Sequence, residues 1–152
     1  MFHGANAINL DSKGRITIPT MYRESLMDDC AGQLVCTIDI SSNCLLLYPL
    51  SEWQEIQLKL TKMSSTNPHE RRLLRLILGN AHQDKMDKSG RFLIRPSLRT
   101  HGALQKQLML VGQLNKFEVW NESDWNQQLA NDIEIEKAGN FEMTERLQDF
   151  SL

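Results

Sequence analysis

The chain has 152 residues, 41% of them apolar and 24% charged, with a formal net charge of −2. That length allows one domain or two small tandem ones, and the composition excludes a disordered chain. The longest apolar clusters, such as Leu45-Leu46-Leu47, are strand-sized and exclude a membrane-spanning helix.

In chain order, Ile8 and Leu10 alternate with polar residues, Asp11-Ser12-Lys13-Gly14 follows, and Arg15-Ile16-Thr17-Ile18 alternates again. This predicts a local hairpin closed by a type I turn with a left-handed glycine at its end, with Arg15 opening the return strand on the face opposite Ile16 and Ile18. Pro19, at or just before a first helical turn, introduces a short helix near residues 22–27, and strands are expected near 33–38 and 44–48. Ser51-Glu52-Trp53-Gln54 reads as a capping box before a helix whose apolar face is Trp53, Ile56, Leu60 and Met63. Asn67-Pro68-His69-Glu70 reads as a second one, with Gly79 as a C′ stop.

The chain then repeats itself. Asp87-Lys88-Ser89-Gly90-Arg91-Phe92-Leu93-Ile94 restates residues 11–18 at an offset of 76, and Arg99 restates Arg23. Phe117 to Trp120 restates residues 45–48, and Ser123-Asp124-Trp125 restates Ser51-Glu52-Trp53, at an offset of 72. A whole unit is duplicated: hairpin, short helix, hairpin, capped helix. Each unit of about 45 residues is marginal as an independent core, so the halves are expected to share one. The expected organisation is a first unit over 5–52, a helical connection over 53–80, a second unit over 81–124 and a C-terminal helical acidic region over 125–152. That last region presents Trp125, Leu129 and Ile133 on one helix, followed by an amphipathic end.

The remaining chemistry-bearing residues are quiet. Cys30, Cys36 and Cys44 are odd in number, lack a Cys-x-x-Cys pair and have no counterparts in the second unit, so reduced thiols in a cytoplasmic protein are expected. The histidines show no ligand spacing with them, and no metal or cofactor is expected. No basic region precedes an apolar stretch at the N-terminus, so no secretion is expected. Arg71, Arg72 and Arg75 read as a solvated helix face, Asp28-Asp29 as a helix end, and the tryptophans as core. No Gly-rich phosphate loop, carboxylate pair or Ser/His/Asp set supports an enzyme or a small-molecule substrate.

Charge is distributed unevenly. From Asn121 onward eight acids face two bases, giving −6, so residues 1–120 carry +4. Lys85, Lys88, Arg91, Arg95 and Arg99 accompany a single acid, Asp87, within Lys85–His101. Local charge, not the net value, decides attraction to a polyanion. A guanidinium on a short β-ribbon suits the major groove, where its fork meets guanine O6 and N7. The candidate DNA-binding residues are therefore Asp11, Lys13, Gly14 and Arg15 with Asp87, Lys88, Gly90 and Arg91. Lys13 and Lys88, and the N–H groups of Gly14 and Gly90, are offered to neighbouring phosphates. Arg23, Arg95 and Arg99 are further candidates for phosphate contact. The bland reading is that each arginine merely packs against its own turn aspartate.

Met1-Phe2-His3-Gly4, the doubled Asp-x-x-x-Arg loops, Val111-Gly112-Gln113 and Phe117-Glu118-Val119-Trp120 together resemble the MraZ family, essentially over the full chain. Two departures are the second proline, displaced by one residue to Pro96 with Arg95 standing in the place of Pro19, and His3, where close relatives can carry arginine. The resemblance implies an α+β fold in which two tandem AbrB/SpoVT-type units form one swapped-hairpin β-barrel per chain, assembled into a ring of eight or twelve copies. It further implies a repressor on the nucleoid, acting on the division and cell-wall gene cluster that includes its own gene. The DNA would be tandem short G-rich promoter repeats, read by Asp11, Arg15, Asp87 and Arg91, with the acidic C-terminal region away from it. An AbrB-like scaffold that mainly binds protein, of antitoxin type, is the other non-enzymatic reading.

Overall fold

The computed structural model describes all of residues 1–152. Strands β1 (Ala5–Asn9) and β2 (Arg15–Thr17) flank the first loop, and helix α1 (Thr20–Cys30) leads to β3 (Gln33–Ile38) and β4 (Leu45–Pro49). Helices α2 (Leu50–Leu60) and α3 (Pro68–Leu78) connect to the second copy. That copy contains β5 (His82–Lys85), β6 (Arg91–Leu93), α4 (Pro96–His101), β7 (Gln107–Gln113) and β8 (Lys116–Asn121), and α5 (Glu122–Ala138) and α6 (Glu145–Asp149) end the chain.

The strands around each loop do not pair with one another, which corrects the local hairpin expected from residues 5–18. β1 pairs antiparallel with β7 of the other copy, and β5 pairs with β3. β2 and β6 pair with each other as a separate two-stranded ribbon, with Ile16 opposite Phe92. Alternation specifies which face of a strand is buried but not which partner buries it. Here the exchanged pairing places Ile16 and Phe92, both essentially inaccessible, in a core common to the two copies. Only the turn itself keeps a hairpin-like bond, from Asp11 N–H to Arg15 O in one loop and from Asp87 N–H to Arg91 O in the other.

The main sheet runs β1-β7-β8-β4-β3-β5 and is open, with β1 and β5 at its two edges. β2 continues from β1 and β6 from β5, so the ribbon joins the edges through the loops rather than through a closed ladder. The closed β-barrel is therefore not formed by hydrogen-bonded strands. One face of the sheet packs Leu34, Leu45, Leu47, Leu110, Phe117 and Val119 against the ribbon and the first residues of α1 and α4. The opposite face carries Val35 and Tyr48, covered by Trp53 and Ile56 of α2 and Ile77 of α3. Thr37 fixes α3 to β3 by donating its hydroxyl to Ile77 O at 2.7 Å.

Helix starts partly follow their signals. Asn67 caps α3, accepting from the N–H groups of His69 and Glu70, although Glu70 accepts from Ser64 N–H instead of completing a reciprocal box. Gly79 ends that helix in a right-handed conformation (φ −65°), not as a left-handed C′ residue. The Ser51 capping box is not formed: Pro49 occupies the N-cap position and α2 begins at Leu50, because β4 runs directly into the helix. α5 begins one residue before Ser123 in the same way. Pro19 and Arg95 are the equivalent N-cap residues of α1 and α4, so the displaced second proline leaves the helix start at the same offset.

The chain divides into two units, Met1–Glu122 and Ser123–Leu152. The second is helical, with Thr144 capping α6 and with Leu129, Ile133, Met143, Leu147 and Phe150 exposed. All three cysteines are free thiols, and burial pushes Cys36 up to about 12. No helix is long and apolar enough to cross a membrane.

Candidate nucleic-acid interface

Each loop is built by one aspartate. In the first, Gly14 N–H donates to Asp11 O at 3.0 Å, closing the turn, and Gly14 takes the left-handed conformation (φ +81°) that a residue with Cβ rarely adopts. The Asp11 carboxylate then organises the rest. Its Oδ1 accepts the N–H groups of Lys13 (2.9 Å) and Arg15 (2.8 Å), and its Oδ2 accepts Arg15 Nε at 2.9 Å. The second loop repeats this geometry. Gly90 N–H donates to Asp87 O at 3.0 Å, Asp87 Oδ1 accepts Ser89 and Arg91 N–H at 2.9 and 2.8 Å, and Oδ2 accepts Arg91 Nε at 2.8 Å.

The aspartate does not occupy the arginine's outer edge. Both ion pairs use Nε alone, leaving the outer Nη groups of Arg15 and Arg91 without a protein acceptor. The Asp–Arg pair of the bland reading is thus present, and it orients a fork instead of occupying it. The carboxyls of Asp11 and Asp87 both lie below the ordinary 3.8, chiefly through the backbone N–H of Arg15 and Arg91 respectively, with the guanidinium contact adding to it.

The ribbon sets the relation between the two arginines. Arg15 lies opposite Leu93 and Thr17 opposite Arg91, so these side chains share one face, while Ile16 and Phe92 point inward. Arg15 and Arg91 are diagonal neighbours across the ribbon, about 7–8 Å apart at the backbone. Lys13 and Lys88 are exposed on the loops.

The glycine amides correct an expectation. The N–H groups of Gly14 and Gly90 are taken up within their turns, and both glycines are buried, so they present no donor to a phosphate. What buries them escaped sequence reasoning. Arg99 of the second copy lies on Gly14 of the first, and Arg23 of the first lies on Gly90 of the second. The equal spacing of Arg15 to Arg23 and Arg91 to Arg99 was the available signal, but the crossing follows only from the exchanged strands. Arg95 stands apart, exposed, with Nε donating to His82 Nε2 at 3.2 Å. His82 is held below its ordinary 6.5 by partial burial and then by the Arg95 charge, against the opposing effect of Asp84.

A model of the family described as "MraZ protein, putative antitoxin-like" matches the chain twice, over residues 1–76 and 77–151. Among relatives, the Transcriptional regulator MraZ of Pseudoalteromonas atlantica is 67% identical over 152 residues, covering 100% of both chains. Those of Idiomarina loihiensis and Escherichia coli O127:H6 are 60% and 57% identical over the same full lengths.

Proposed function

The chain belongs to the MraZ family, and from that premise we propose that it is a DNA-binding transcriptional repressor whose reading elements are the Asp11–Arg15 and Asp87–Arg91 loops. The observation that carries this is the paired construction of the loops. Two guanidiniums, each fixed through Nε by its own aspartate, share one outward face of a two-stranded ribbon with their Nη groups free. A ribbon of that width enters a major groove, and a fork aimed outward meets the two acceptors of a guanine. Lys13 and Lys88 supply phosphate contacts beside it.

The proposed DNA is a set of short G-rich tandem repeats upstream of the division and cell-wall gene cluster, with the protein's own gene in it. One bidentate arginine–guanine contact discriminates by about 1–3 kcal/mol, so two loops on one chain are weak readers alone. Several copies in a ring, meeting repeats about one helical turn apart, would gain specificity by effective concentration. In this reading residues 5–52 and 81–124 are equivalent DNA-facing units, and the protein acts on the nucleoid in the cytoplasm.

A footprint on the DNA upstream of the gene, run with the native mass of the complex, tests the proposal. Protection of regularly spaced G-rich repeats by a multimer is expected. Unprotected DNA, together with a stable protein complex that survives loss of both arginines, would favour the scaffold reading instead.

A further inference from the structure

We propose that Arg23 and Arg99 are positioning residues that lock each reading loop from the opposite copy, so that the two loops hold their shape as one unit. The inference rests on the reading of those loops as the DNA-facing elements.

The two contacts form a reciprocal circuit. Ile94 N–H donates to Gly14 O at 2.9 Å, and Ile94 O accepts Arg99 Nη1 at 3.1 Å. Ile18 N–H donates to Gly90 O at 2.7 Å, and Ile18 O accepts Arg23 Nε at 2.8 Å. The isoleucine of one copy thus holds the glycine of the other loop and the arginine that covers it. Ile18 and Ile94 are themselves inaccessible in the core, so the anchor does not move.

The covering is tight. A Cβ added at Gly14 would lie 2.6 Å from Arg99 Cζ, and one at Gly90 would lie 2.7 Å from Arg23 Cζ. Each guanidinium therefore packs directly on a glycine that no larger residue could replace without displacing it. This explains why a glycine at the edge of an exposed loop is buried. The planar guanidinium is suited to lying over a peptide, whereas an ammonium is a point donor. Gly14 and Gly90 immediately precede Arg15 and Arg91, so a shift of the glycine re-aims the reading arginine. The aspartate fixes the arginine within its loop, and the crossed clamp fixes the loop to the ribbon.

The test uses the full chain with Arg99→Lys, Arg23→Lys and Arg99→Met. Amide exchange is measured without DNA, and affinity for the upstream repeat DNA is measured across salt. Arg99→Lys should speed exchange at Gly14, Arg15 and Ile94 by about tenfold while leaving Gly90 and Arg91 unchanged, and Arg23→Lys should do the converse. Arg99→Lys should also weaken DNA binding about five- to tenfold with its salt slope intact. Loosening of the loop in the same copy, or of neither loop, would overturn the crossed clamp. A salt slope lowered by about one in Arg99→Met, with the free loop unchanged, would make Arg99 a phosphate contact and overturn it too. Arg15→Ala separates the two readings: if crossed loosening is seen but Arg15→Ala leaves DNA affinity intact, the loops are clamped but do not read DNA, and a role in reading falls.

Discussion

Asp11 and Asp87 show how one side chain sets both the shape and the charge of its loop. Each carboxylate accepts two backbone N–H groups and one guanidinium Nε, and these contacts hold its pKa below 3.8. A carboxyl whose folded value is depressed contributes stability that is fully present above the unfolded value and lost as pH falls through the folded one. Between about pH 8 and pH 5 the loops should therefore keep their hydrogen bonds unchanged. Carboxyl-carbon NMR titration should place both midpoints below 3.8, and a midpoint at or above that value would contradict the geometry. Asp11→Asn retains an acceptor for the amides but loses the charged partner of Arg15. Its expected signature is a fold of near wild-type stability with weaker DNA binding. Gly14 tests the backbone: at φ +81° an alanine is strained by about 1–2 kcal/mol and meets Arg99 as well. Urea unfolding of Gly14→Ala checks this, and an unchanged midpoint would refute it.

At the scale of elements, the sequence carries the turns and helices better than the pairings. Asp-x-x-Gly encodes the loop locally, since the aspartate bonds only residues two to four positions away. Asn67-Pro68 likewise marks α3 through contacts within its first turn. Strand partners are different. β2 and β6 are three residues each, and their alternation is satisfied equally by the adjacent strand or by the other copy. The choice is made by a core assembled from both halves, as is the placement of Arg23 and Arg99. The missed capping box has the same origin, because β4 passes into α2 through Pro49 before Ser51 is reached. Two consequences are measurable. Phe92, 1% exposed at the centre of the ribbon, should cost about 3–5 kcal/mol on truncation to alanine, and the loss should loosen both loops. Residues 1–80 alone lack the partners of β1 and β2 and one of the two partners of β3 and of β4, so that fragment should be unfolded or paired with a second copy by sedimentation and thermal melting. A folded monomer would contradict the shared core.

For the whole molecule, the relevant property is where charge lies. The chain's net −2 combines +4 in residues 1–120 with −6 beyond, and both loops belong to the basic part. Binding through several arginines and lysines releases condensed counterions, so affinity should fall steeply with salt, by a slope of about −0.9 per neutralised phosphate. DNA with several repeats should bind far more tightly than DNA with one, if copies assemble with matching spacing. We assign the reading of the DNA to Arg15 and Arg91. The most direct test of this assignment is a salt-resolved affinity titration of wild type and Arg15→Ala/Arg91→Ala on the upstream repeats and on a scrambled duplex. The double variant should stay folded, bind the two duplexes alike, and show a flatter salt dependence. Retained preference for the repeats at the wild-type slope would contradict the assignment.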